Sequence, residues 1–215
     1  WDTDSDEDIT RSFAPGVYHL RNDTTQTIGW SMYDRTAADF YAEVDTYYVD
    51  GPTDNEFGIL FRHADDDNYW VFSISSDGYY RLDKQVDNEW ETAVDWIQAS
   101  SINTGEGSHN VIGLLVEGRK IAMLVNGEVL SALTDNFVGG DGLGISVGTH
   151  DQGGAEVAFE DFRLWPLGAT GDNAEVTPEP TPEATTLDPA LIQTDVEPIR
   201  GNRPDYQDDF RRASD

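Results

Sequence analysis

Hydrophobic and polar positions alternate with a period of two along much of this chain, most clearly between Asn55 and Lys84. Ile59 and Phe61 alternate with Leu60 and Arg62. Trp70, Phe72 and Ile74 alternate with Tyr69, Val71 and Ser73. Tyr80 and Leu82 alternate with Tyr79, Arg81 and Asp83. That period marks strands with one face on a core. Asp65-Asp66-Asp67-Asn68 supplies a first turn and Asp77-Gly78 a second, and Asp-Gly between alternating runs is a hairpin signal. The stretch predicts a three-stranded antiparallel meander. Its density of aromatic and β-branched residues places it at the centre of a sheet.

The same pattern recurs in shorter pieces. Strands are predicted at 17–21, 27–33, 39–49 and 90–97, and at 143–148 and 156–165. A second meander is predicted over 111–116, 120–125 and 129–133, turned by Glu117-Gly118 and Asn126-Gly127. No amphipathic helix stands out. Many short strands with Gly and Asp turns predict an all-β fold, a jelly-roll sandwich of two antiparallel sheets. After Pro166 the composition shifts, and 169–204 contains Thr-Pro-Glu-Pro-Thr-Pro-Glu-Ala-Thr-Thr and no aromatic residue. The expectation is three parts: a sandwich over 1–168, an extended Pro/Thr/Glu linker over 169–204, and a terminal strand over 205–215. Leu191, Ile192, Val196 and Ile199 give the linker an apolar stretch suited to docking on a neighbour.

Charge narrows the partners. Asp and Glu number 42 against 13 Lys and Arg, a net charge of -29. Such a surface repels nucleic acid and anionic membrane and attracts divalent cations. No apolar run reaches the length of a membrane span. The chain has no cysteine, which excludes disulfides, zinc thiolate sites and thiol catalysis. It opens on Trp1 rather than Met, so the expectation is a piece of something longer.

Several motifs together resemble the concanavalin A-like lectin/glucanase superfamily, in particular its laminin-G-like and glycoside-hydrolase-16-like modules. They are Asp39-Phe-Tyr-Ala-Glu-Val, Phe57-Gly-Ile-Leu-Phe-Arg-His-Ala-Asp, Asn68-Tyr-Trp-Val-Phe-Ser-Ile, Gly142-Leu-Gly-Ile-Ser-Val-Gly and Ala158-Phe-Glu-Asp-Phe-Arg-Leu-Trp. The resemblance covers about 1–167 and implies the sandwich fold, which hosts unrelated activities. Modules of this kind open with Asp-Asp-Phe, a short polar stretch and a Trp. Here that opening is split: Asp208-Asp209-Phe210 stands near the end and Trp1 at the start. The domain is therefore expected to lack its own first strand. The tail, with Tyr206, Asp208, Asp209 and Phe210, is expected to complete the sheet of a neighbouring copy, as a tandem repeat or by donor-strand complementation. Head-to-tail joining of that kind builds a filament.

Candidate chemistry is sparse. Asp2, Asp4, Asp6 and Asp8 alternate like the ligands of a calcium loop, but Glu7 and Phe13 stand where an EF-hand needs Gly and Glu. Ca2+ is the cofactor expected, if there is one. The glucanase branch carries three carboxylates on one strand. Here Glu43 and Asp45 are followed by Tyr47 and Tyr48 where the third belongs, so hydrolysis by that route is not expected. His19, His63, His109 and His150 show no metal-ligand spacing. Aromatic platforms for sugar rings are sought among Tyr48, Trp70 and Trp90, with Tyr47, Tyr79 and Trp96 behind them. The expectation is a non-enzymatic, extracellular subunit of a surface fibre or adhesin, joined to copies of itself. The alternative is a carbohydrate-binding, lectin-like module of a larger cell-surface protein, with glycans as partners.

Overall fold

The computed structural model describes residues 1–137, 139–168 and 185–210. In chain order the strands are β1 (Ile9–Ala14), β2 (Val17–Asn22), β3 (Thr27–Thr36), β4 (Phe40–Asp50) and β5 (Asn55–Asp65). There follow β6 (Asn68–Ile74), β7 (Tyr79–Val86), β8 (Glu89–Gln98), β9 (His109–Glu117) and β10 (Lys120–Val125). The chain continues with β11 (Glu128–Thr134), β12 (Gly142–Thr149), β13 (Ala155–Pro166), β14 (Thr185–Thr186), helix α1 (Pro189–Arg200) and β15 (Tyr206–Asp208). Among the described residues these form two antiparallel sheets packed as a sandwich. One has six strands in the order β3-β12-β5-β6-β7-β8. The other has nine, in the order β1-β2-β13-β4-β9-β10-β11-β14, with β15 beside β13.

The meander of the sequence is β5-β6-β7, with β5 and β6 at the middle of the smaller sheet. Its alternation decides what faces inward. Phe57, Ile59, Phe61, Trp70, Phe72, Ile74 and Leu82 meet Phe40, Val44, Leu114, Met123, Phe159 and Phe162 of the facing sheet in one continuous core. Arg62 breaks the pattern. Its backbone turns to φ 51° and its side chain is buried at 1% exposure, donating to the carbonyls of Phe137 and Gly118. Burial pushes its guanidinium down to about 10. This bend stops the β5–β6 ladder between Phe61 and Asp65.

The expected linker holds more structure than its composition predicts. Asp188 caps α1 by accepting from the Ala190 N–H at 3.0 Å, Pro189 begins the helix, and Gly201 ends it. Part of its apolar stretch docks on this chain, while Leu191 stays exposed. Ile192 and Val196, one turn apart, are buried on the outer face of the nine-stranded sheet against Tyr41, Leu115, Ala122, Leu124, Val129 and Ala132. Residues 169–184 of that segment lie outside the described residues.

The tail likewise closes on its own chain. Tyr206–Asp208 pairs antiparallel with Phe162–Leu164, and Phe210 is 1% exposed, its ring 5.1 Å from Trp1 and 5.7 Å from Tyr18. In this chain the strand expected to be missing from the N-terminal side is supplied by its own tail, through Tyr206, Asp208 and Phe210. Asp209 lies between them, and residues 211–215 are outside the described residues. A strand at Ile9–Ala14 was not expected either. Its exposed and buried positions alternate, but its apolar residues are few.

Candidate binding face

The sandwich has two outer faces, and α1 covers part of one. On that face stand the two carboxylates of the incomplete glucanase pattern, and both are engaged. Glu43 accepts from Arg200 Nε at 2.5 Å and from the Tyr41 hydroxyl at 2.6 Å, with Arg163 at 3.5 Å. Asp45 is held by Arg163 at 2.5 Å and by His109 Nε2 at 2.6 Å. Glu43 is 4% exposed and is held in a structural ion pair with Arg200. Burial, reinforced by the Glu43 charge, holds the Tyr41 phenol far above its ordinary range.

The other outer face belongs to the six-stranded sheet, and the ladder register sets its side chains in rows. One row runs Met32, Gly144, Leu60, Val71, Asp83, Thr92 across all six strands. Beside it run Tyr69, Gln85 and Trp90 on β6, β7 and β8. The small residues leave depth where bulkier ones would fill it. At Gly148 an added Cβ would lie 2.4 Å from Glu56 Cγ, so the missing side chain is what lets the Glu56 stem pack there.

This face holds a cleft of about 360 Å³ lined by Glu56, Val71, Arg81, Asp83, Trp90 and His150, among others. That volume falls within the range of small-molecule sites. Behind it Leu60, Tyr69 and Val71 pack with Ile28, Trp30 and Met32 in a cluster apart from the main core, and of these Val71 and Ile28 reach the cleft. Its wall is Trp90, 52% exposed, standing edge-on to Tyr69 at 5.7 Å and 88°. Its polar groups are interlinked. Arg81 pairs with Asp83 at 2.5 Å and donates to Thr92 Oγ1 at 2.8 Å, while the Thr92 hydroxyl donates to Asp83 at 2.7 Å. The guanidinium also lies 5.7 Å over the Trp96 ring, which meets His150 edge-on at 6.1 Å.

Two carboxylates share this cleft, and both hold their protons more tightly than usual. Burial raises Glu56, with Asp83 adding to the effect and His150 opposing most of all. Burial also raises Asp83, against the hydrogen bond from Thr92 and the Arg81 charge. Carboxylates short of water in this way are acceptors for any hydrogen-bond donor that reaches them. A second, smaller cleft of about 230 Å³ adjoins along the same edge, lined by Asp54, Asn55, Ser75, Asp77, Tyr79 and Trp96.

Of the residues singled out in the sequence, Trp90 is on this face. Trp70 and Tyr48 are not. Trp70 is fully buried between the sheets, its indole N–H donating to the Phe137 carbonyl at 3.1 Å and Lys84 Nζ 5.2 Å from its ring. Tyr48 is 3% exposed, with its hydroxyl on the Gly51 carbonyl. Neither offers a ring to a sugar. The N-terminal aspartates do not form a loop of converging ligands. Asp2 accepts from the Met32 N–H at 2.9 Å, and Asp6 accepts from the N–H groups of Ile9 and Asp8. Asp4 offers its backbone carbonyl to Arg11, and Asp8 its own to the Asp23 N–H. Among the described residues no three His, Asp or Glu side chains come together as a metal ion requires.

Glu56, Arg81, Asp83 and His150 were not singled out. Arg81 and Asp83 were legible as the polar partners of Tyr80 and Leu82. Glu56 and His150 join them only through the β12–β5 pairing, which brings Gly148 beside Glu56.

No protein-family model and no curated protein sequence matches this chain. Solved structures do. The carbohydrate-binding module CBM66 from Bacillus subtilis superposes with a TM-score of 0.61 at 12% identity, over 73% of this chain and 91% of that one. Bacteroides ovatus xyloglucan PUL GH43B gives a TM-score of 0.52 at 13% identity, over 77% of this chain but 38% of that one. The xylan beta-1,4-xylosidase from Bacillus halodurans C-125 gives 0.52 at 10% identity, over 70% and 33%. At these identities the likeness is one of fold, and it bears out the jelly-roll sandwich. This chain spans only about a third of each of the two larger proteins. Among the described residues no helix is long and apolar enough to cross a membrane.

Proposed function

We propose that this chain is a carbohydrate-binding module of an extracellular protein, and that it holds its glycan on the outer face of the six-stranded sheet without turning it over. The observation that carries this reading is the cleft itself: an exposed indole beside partly desolvated acceptors and an ion-paired guanidinium. A sugar ring has apolar C–H faces and a rim of hydroxyls. Trp90 would take the face by stacking, Glu56 and Asp83 would accept from hydroxyls, and Arg81 would donate. A fold shared with a carbohydrate-binding module supports the reading. So does the absence of a free carboxylate pair at Glu43 and Asp45, both committed to arginines.

The test is a glycan and polysaccharide array followed by titration calorimetry on the hits. Trp90→Ala is expected to weaken any hit by at least about tenfold, because it removes the largest apolar contact in the cleft. Its melting temperature should stay close to wild type, since half of the ring already faces solvent. An array without hits, or hits indifferent to Trp90→Ala and Arg81→Ala, would remove this face from consideration.

A further inference from the structure

The C-terminal segment fills a place that the rest of the chain leaves open. On one edge of β13, β2 pairs only with Ala155–Phe159. The strand then bends at Asp161, φ 47°, and its next stretch, Phe162–Leu164, pairs with Tyr206–Asp208. Without the tail, that edge would expose unpaired backbone groups and the aromatic pocket beside it would stand open. Phe210 plugs the pocket, flanked by Trp1 and Tyr18, and Phe162 meets the same Trp1 ring. Polar contacts fix the register. The Trp1 indole N–H donates to Asp208 at 3.0 Å, Gln207 donates to Asp161 at 3.2 Å, and Arg35 lies 4.4 Å over the Tyr206 ring. Further back, α1 adds a second anchor through Ile192, Val196 and the Arg200–Glu43 pair.

All of these contacts join residues 187–210 to residues 1–168, and none requires that the two belong to one molecule. The occupant fits as a separate piece, with a strand, a plug and a helical anchor. We propose that residues 185–210 are an exchangeable clasp, and that the slot along β13 and under Phe210 accepts the same segment from a second copy of this chain. Tethering gives the chain's own tail an effective concentration on the order of millimolar, so closure within one chain prevails in dilute solution. Exchange takes over when folding occurs at comparable protein concentration. Because each copy both offers a clasp and presents a slot, the contact is head-to-tail, and it closes as a reciprocal dimer or propagates.

The experiment uses the full chain. Two batches, one carrying a donor and one an acceptor fluorophore, are mixed in denaturant and refolded together over a series of concentrations. The products are then diluted and separated by size with light scattering. Mixed dimers or longer species that rise with concentration and survive dilution are expected. Adding a synthetic peptide of sequence Asp205–Asp215 during refolding should suppress them, since the peptide occupies the slot. The same peptide with alanine in place of Phe210 should be roughly a hundredfold less effective, having lost the plug. This competition needs no variant of the protein itself. Monomer alone at every concentration would overturn the proposal, and so would mixed species that both peptides suppress equally.

Discussion

Replacing Glu56 by Gln should separate stability from binding. Burial holds the Glu56 carboxyl above its ordinary value, so in the pH window between its unfolded and folded pKa the folded chain keeps a proton that the unfolded chain has lost. Stability therefore falls as pH rises through that window, and above it the fold carries a buried carboxylate at a standing cost. Each pH unit of the window is worth up to about 1.4 kcal/mol, which for a chain of this length moves Tm by about 3–5 °C. Partial solvent contact trims that figure. Glu56→Gln removes the titration. Its Tm should match wild type near about pH 4, where both side chains are neutral, and exceed it by a few degrees at neutral pH. The assay is differential scanning calorimetry of both proteins at matched pH values, reading the difference in Tm. Binding should move the other way. A hydrogen bond to a charged acceptor contributes about 1.5–3 kcal/mol, so the amide should lose about 10- to 150-fold in glycan affinity. A difference in Tm that does not vary with pH, or a variant less stable than wild type at neutral pH, would refute the account of Glu56 as a desolvated acceptor.

Two further substitutions test the placement of residues first sought as platforms or linker. Trp70→Ala should cost about 3–5 kcal/mol of stability, read by denaturant unfolding, because it opens a cavity between the sheets. An exposed platform residue would cost far less. Val196→Asp should detach α1 by placing a charge in the apolar seam on the larger sheet, raising hydrogen exchange and proteolysis over 189–200. Glycan affinity should stay unchanged, since that face is opposite the cleft.

The fold was legible because alternation and turn residues agree along most of the chain. Asp77-Gly78 and Asn126-Gly127 each close a hairpin where their chemistry places one. The helix was not. Its buried pair Ile192 and Val196 sits in a stretch interrupted by Pro198 and rich in threonine and proline, and its stability comes from the sheet it covers. The aromatic candidates were harder to sort. Trp70 and Trp90 both stand on alternating strands, and the register separates them: Trp70 points between the sheets from central β6, and Trp90 points outward from edge strand β8. Asp208-Asp209-Phe210 drew attention to the tail, but the strand itself is Tyr206–Asp208, and its partner β13 follows from pairing across the sheet, which a linear pattern does not contain.

The two outer faces differ in how their carboxylates are matched. On the larger sheet the conspicuous carboxylates, Glu43 and Asp45, are matched by Arg163, Arg200 and His109 and partly roofed by α1. On the smaller sheet Glu56 and Asp83 are drawn together with a single strong cation, Arg81, and both are held above the ordinary carboxylate range. A pair of partly desolvated acceptors facing one guanidinium is a costly arrangement for stability alone, because nearby hydrophobic replacements would satisfy the fold better. A chain with 42 acidic residues has ample charge for solubility without burying these two. The retained cost sits beside the exposed Trp90, and that combination supports the proposed hydroxyl-bearing ligand over an apolar one, which would need no acceptors.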